Sequence, residues 1–168
     1  MLQILNKNEG YDMKKKILII FLIVLIIFAA TLSSASANGE VCVDIKPGSD
    51  PNPVNVKSKG VLPIAILGDE SFDITAIDPS TVQLASPLHD DVVADPLRWS
   101  YEDTNGDGYT DLLLRYKTQV LIPFTVTTVA HGDEMELQIV GELKAEFGGI
   151  PIVGSDVIIV LNKMYNGD

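Results

Sequence analysis

The chain has 168 residues, 12 Lys and Arg against 23 Asp and Glu, a formal net charge of −11 and one Cys. That acidity excludes a duplex nucleic-acid binder, which needs a basic footprint to neutralise phosphates, and a lone Cys excludes a disulfide-stapled mini-protein. The length allows one mid-sized domain after any targeting segment, not several.

The N-terminus has the layout of an export signal. Lys14, Lys15 and Lys16 form a positive region, residues 17–30 (ILIIFLIVLIIFAA) an apolar block, and Ala35-Ser36-Ala37 an A-x-A cleavage site. Met13 heads this pattern better than Met1, so residues 1–12 read as an upstream extension. An uncleaved anchor is the competing reading, because the apolar-leaning stretch 17–32 is slightly long for the apolar region of a signal, though short of the ~20 residues that span a bilayer. Residues 1–37 are therefore expected to be extension plus signal, and residues 38–168 a single secreted or surface-exposed domain. Cys42 is expected to pack as a small hydrophobe on a strand.

Beyond Ala37, short β-branched runs recur between Gly, Pro, Asn and Asp breakers, without sustained 3.6-residue periodicity. The spacing predicts an all-β fold with strands over 41–46, 60–67, 81–85, 97–101, 109–117, 124–129, 134–143 and 156–161. Pro47-Gly48-Ser49-Asp50-Pro51-Asn52-Pro53 is expected to be a loop, since each Pro removes a donor and biases its predecessor away from helix. In the run from Leu97, the side chains of Leu97, Trp99 and Tyr101 alternate with Arg98 and Ser100 as on a half-buried strand, which places Trp99 in the core. The rival reading exposes these aromatics for stacking on a sugar or peptide.

The sharpest motif is Asp103-Thr104-Asn105-Gly106-Asp107-Gly108-Tyr109-Thr110-Asp111, a D-x-N-x-D-G-x-x-D calcium loop by spacing and residue type. Ca²⁺ takes six to eight hard oxygens, and alternate positions of a tight loop aim Asp103, Asn105 and Asp107 inward. Gly108 permits the sharp turn, Tyr109 supplies its backbone carbonyl, and Asp111 adds a carboxylate directly or through water. The twelfth position is Leu114, so the bidentate Glu of an EF-hand is missing, and the flanks read as strands rather than helices. Glu102 or Asp133 is the remote carboxylate this leaves to complete the shell. Affinity is then expected in the ~10⁻⁴ to 10⁻³ M range of extracellular modules.

Other constellations are weak. Asp69, Glu70 and Asp73, and Asp90, Asp91 and Asp95, read as solvated faces, and His89 and His131 lie too far apart in sequence to suggest a metal centre. There is no G-x-S-x-G, P-loop or G-x-G-x-x-G, so no enzyme is expected.

The segments Val43-Asp44-Ile45-Lys46-Pro47-Gly48-Ser49-Asp50-Pro51-Asn52-Pro53-Val54-Asn55, Gly60 to Leu67, Asp78-Pro79-Ser80-Thr81-Val82 and Asp103 to Leu112 stand in an order that resembles an uncharacterised β-rich module of exported bacterial and archaeal proteins. Its calcium loop is similar to those of dockerins and of integrin-type propellers. The resemblance implies an extracellular β-rich architecture over residues 41–160 and, matched residue for residue, Asp103, Asn105, Asp107 and Asp111 as calcium ligands.

Together these readings predict a β-sandwich of immunoglobulin-like or jelly-roll type, with Ca²⁺ in its β-hairpin loop and an extracellular protein or polysaccharide as partner. It would serve as a non-catalytic surface or matrix interaction module, with no membrane span once the signal is removed. The rivals are a carbohydrate-binding module using Trp99, Tyr101 or Tyr109 and, more remotely, a small metal-dependent hydrolase.

Overall fold

The computed structural model describes residues 39–125 and 129–162, the latter two spans being parts of the compact unit Ala37–Asp168. The export-signal expectations over residues 1–37 lie outside the described residues. Among the described residues no helix is long and apolar enough to cross a membrane.

The described residues form an all-β fold of two sheets. One contains β1 (Gly39–Glu40), β3 (Asn52–Asn55), β5 (Gln83–Ser86), β6 (His89–Ala94), β9 (Glu134–Glu142) and β10 (Pro151–Leu161). The other runs in the order β2 (Val43–Ile45), β4 (Val61–Ile66), β8 (Asp111–Lys117), β7 (Arg98–Glu102). β10 organises the first sheet. It pairs antiparallel with β9 from Pro151↔Glu142 to Ile159↔Glu134, and its other edge takes β1 at Ile152–Val153 and β3 at Ile158–Leu161, both parallel.

The strands close over one apolar core, because period-two patterning sends alternate side chains to the same side. In β4 and β8, Leu62, Ile64, Ile66, Leu112, Leu114 and Tyr116 are buried, and β9 and β10 add Leu137, Ile139, Ile158 and Val160 to the same cluster. Gly154 lets the two sheets meet: a Cβ there would stand 2.2 Å from the Val41 carbonyl oxygen. No side chain fits that close approach.

Several expectations need correction. Phe124 begins no strand; it is fully buried in the short helix α1 (Ile122–Thr125), where Pro123 sits in the first turn that tolerates it. Val129 belongs to no strand, and residues 126–128 lie outside the described residues. The end of the Pro-rich run is strand β3, which accepts Pro53 because β3 pairs only with β10 and lies on a sheet edge. The acidic segment from His89 is strand β6, antiparallel to β5. Cys42 is exposed between β1 and β2 rather than packed, and contributes its backbone carbonyl to Leu67 N–H at 2.9 Å.

Trp99 is also misplaced by the alternation: it is 46% exposed, with Leu97 at 52% and Tyr101 at 42%. The alternation does give the side of the strand, since Trp99 pairs with Leu114 and Tyr101 with Leu112, two fully buried residues. Directly opposed residues share a face. The strand β7, however, is the edge of its sheet, so its inward-facing aromatics overhang the core instead of being covered by it.

Candidate calcium loop and its anchor

Residues 103–110 join β7 to β8 beyond the last cross-strand pair, Glu102↔Asp111. Two glycines make the turn possible: Gly106 has φ 79° and Gly108 φ 91°, the left-handed region that a side chain disfavours. Around them the side chains fold back onto the loop backbone. Asp103 accepts Gly106 N–H at Oδ1 (2.7 Å) and Gly108 N–H at Oδ2 (3.0 Å). Asn105 Oδ1 accepts Asp107 N–H at 3.0 Å while its Nδ2 donates to Asp107 Oδ2 at 2.8 Å. Asp107 Oδ1 accepts Tyr109 N–H at 2.8 Å.

Each of these carboxylate oxygens takes one of these donors and has lone-pair capacity left, and Asp103, Asn105 and Asp107 are all exposed. Carboxylate and amide oxygens are hard donors, a type that suits Ca²⁺ better than a soft metal.

Asp111 behaves differently. It is fully buried, and its Oδ1 accepts Gly68 N–H at 3.0 Å. Its Oδ2 accepts both the backbone N–H of Thr104, at 2.7 Å, and the Thr104 hydroxyl. This carboxylate therefore clips the start of the loop to the segment leaving β4. Gly68 is needed there because a Cβ would lie 2.2 Å from the Thr110 carbonyl oxygen. Three protein donors thus share its two oxygens. Among the described residues no three or more His, Cys, Asp or Glu side chains are gathered closely enough to hold an ion by themselves.

The remaining acids divide into turns and pairs. Glu102 is engaged by the Ser100 hydroxyl and by Arg115 at 3.1 Å, which hold its carboxyl below the usual range. Asp133 accepts Ala130 N–H at 2.7 Å within its own turn. Asp69, Asp73 and Asp78 each accept a Ser or Thr hydroxyl and N–H two residues on, and these bonds lower all three carboxyls. His131 accepts Asn162 N–H at Nδ1, a local role in its turn.

Sequence reasoning missed a second acidic locality. Asp44 on β2, Asp50 in the β2–β3 turn and Asp156 on β10 line one open cleft of about 590 Å³. Burial, with Asp156, Asp111 and Asp50 adding like charge, pushes the Asp44 carboxyl above the usual range. Since 112 positions separate Asp44 from Asp156, no local spacing could have announced it.

Compared with family models, with curated proteins and with solved structures, the chain matches none.

Proposed function

We propose that the protein is a secreted or cell-surface, calcium-stabilised β-sandwich of immunoglobulin-like or jelly-roll type that acts as a non-catalytic interaction module. The observation that carries this reading is the β7–β8 loop. Its D-x-N-x-D-G spacing is realised as a closed turn with Asp103, Asn105 and Asp107 exposed and with acceptor capacity to spare. Export is supported by the pattern of residues 14–37. Calcium bound there relieves the repulsion between Asp103 and Asp107, and Asp111 passes the rigidity to the body of the domain through Thr104 and Gly68.

At a few to tens of Kd, an ion that binds only the folded state adds about 1–2 kcal/mol. The test is the thermal midpoint of the purified protein in EDTA, in millimolar Ca²⁺ and in millimolar Mg²⁺. A Ca²⁺-selective rise that Asp107→Ala lacks supports the reading, and an unshifted wild type overturns it.

A second reading, carbohydrate binding, is favoured by the overhanging aromatics. Trp99 and Tyr101 stand on one side of an edge strand and Tyr109, 42% exposed, projects from the adjoining loop. Trp99 is the only tryptophan. Its fluorescence is therefore a clean reporter: a saturable change with soluble β-glucan supports sugar stacking, and an unchanged spectrum across a polysaccharide panel removes it.

A further inference from the structure

The four-stranded sheet ends at β7. β8 takes its backbone on one side, from Arg98↔Arg115 to Glu102↔Asp111 without a register shift, and among the described residues no strand lies on the other. In an antiparallel pair every second residue directs its N–H and C=O away from the neighbouring strand, so β7 presents a row of donors and acceptors with no strand to take them. Its side chains are exposed as well, all but the half-buried Ser100. Edge strands commonly block further pairing with a proline, a bulge or a charge that repels a like strand. β7 has no proline and no bulge, and its two charges are of opposite sign, Arg98 at one end and Glu102 at the other.

That arrangement is self-complementary. Two antiparallel copies of Arg98-Trp99-Ser100-Tyr101-Glu102, related by a two-fold axis at Ser100, bring each Arg98 opposite Glu102 of the second copy and each Trp99 opposite its Tyr101. Opposed positions are an even number of residues apart, so whichever alternate set of backbone groups β7 leaves outward, both copies direct it into the shared ladder. Moving the axis by one residue sets Arg98 opposite Ser100 or Thr104 and loses the ion pairs. Within the chain Arg98 stands opposite a like charge, Arg115, which turns instead to the Ser100 hydroxyl at 2.8 Å and to Glu102 at 3.1 Å. Arg98 makes no ion pair among the described residues. The bonds that Ser100 and Arg115 donate to Glu102 both fall on Oε1, which leaves Oε2 for a second guanidinium. The other edge strands lack this pattern: β6 and β2 carry Asp but no Lys or Arg, β1 has a single Glu, and β3 has no charge and contains Pro53.

We propose that β7 is a homodimerisation edge, across which a second copy of this chain adds antiparallel with the two-fold axis at Ser100, joining the two copies' sheets into one. The Trp99 and Tyr101 rings that overhang the core then gain aromatic neighbours, since directly opposed residues share a face. This goes beyond the calcium reading and needs no ion in the loop. Two five-residue strands make a small interface of the transient class, so a dissociation constant on the order of 10–100 µM is expected. At lower concentration the chain is a monomer whose fold does not depend on the contact.

The test is sedimentation equilibrium of the purified protein from about tenfold below to about tenfold above that range. Physiological ionic strength, with a Debye length of ~8 Å, screens the net charge of −11 on each copy. The wild type should pass from monomer to dimer mass. Arg98→Glu sets like charges opposite one another twice in each dimer and should weaken association at least about tenfold, as should Glu102→Arg. An equimolar mixture of the two variants should regain the wild-type dimer, because every cross-copy charge pair is again of opposite sign. Arg98 is exposed with no ion pair to lose, so Arg98→Glu alone decides the matter if Glu102→Arg, which gives up Arg115, fails to fold. A wild type that stays monomeric overturns the proposal and leaves the edge to a polysaccharide or another protein. A dimer that Arg98→Glu leaves intact overturns it by placing the contact elsewhere, and two monomeric variants whose mixture stays monomeric overturn the pairing at Ser100.

Discussion

The β7–β8 loop and the β2–β3 cleft use aspartate in the same two ways, but only one of them announces itself in the sequence. In each, one carboxylate is spent on protein donors and fastens the walls: Asp111 holds Gly68 and Thr104, and Asp156 holds Ile45, Asn52 and Val157. In each, further acids stand beside it, the exposed Asp103 and Asp107 in one and the part-buried Asp44 and exposed Asp50 in the other. The difference is how the acids are assembled. The loop gathers its acids within nine consecutive residues, whereas the cleft depends on β10 pairing in parallel with β3. An aspartate's role is therefore set by its donors, not by its place in a motif.

The comparison breaks most visibly at the anchors. Asp111→Ala removes three hydrogen bonds to a fully buried carboxylate and strands the N–H groups of Gly68 and Thr104. A loss of about 3–5 kcal/mol is expected by denaturant unfolding, with or without calcium. Asp156→Ala, at a half-buried site, should cost less, about 2 kcal/mol. If Asp103→Ala, at an exposed position, costs as much as Asp111→Ala in EDTA, the division between anchor and outward-facing acid fails.

Next in size is the calcium response. Asp107→Ala should leave stability in EDTA within about 0.5 kcal/mol and erase the 1–2 kcal/mol that calcium adds, as read from paired thermal melts.

The cleft acids carry a smaller and opposite effect. Because burial and neighbouring carboxylates raise the folded-state pKa of Asp44, the folded chain holds that proton more tightly than the unfolded chain. The stability this provides is complete below the ordinary carboxylate value and is lost as pH rises through it to the folded value. Asp44→Asn should therefore raise the calcium-free midpoint at neutral pH by about 2 °C, and the gain should vanish near pH ~4. Asp69, Asp73 and Asp78 run the other way. Their carboxyls are lowered by Ser and Thr donors, so their contribution is present above the ordinary carboxylate value and lost as pH falls through the folded one.

The smallest expected change is at the sheet edge. Trp99→Ala should shift stability by no more than about 0.5 kcal/mol, unlike truncation of the buried Leu114 opposite it, which should cost at least ~2 kcal/mol.

Local patterns were legible where they act locally. The apolar runs of β4 and β8, the alternation of β9, and the turn chemistry of Asp103 to Asp111 are each complete within a dozen residues. The sequence reading failed where a neighbour decides the outcome. Alternation told which way Trp99 faces but not that β7 has nothing beyond it to cover the ring. Proline and aspartate composition argued against β3 and β6, yet both occur as strands, and β3 meets only β10. The β-branched run after Phe124 resembled a strand, although its first residues close a helical turn over the core. The tie of Asp111 to Gly68 is likewise invisible to local spacing, because it depends on a contact 43 residues away.

The most direct test of the central claim is terbium luminescence excited through tyrosine. Tyr109 lies within the loop, whereas no aromatic residue lines the cleft. The account predicts sensitised Tb³⁺ emission from the wild type that millimolar Ca²⁺ displaces, retained in Asp50→Asn and absent in Asp107→Ala. Emission that persists in Asp107→Ala, or a wild type that gives none, would contradict calcium binding in the β7–β8 loop.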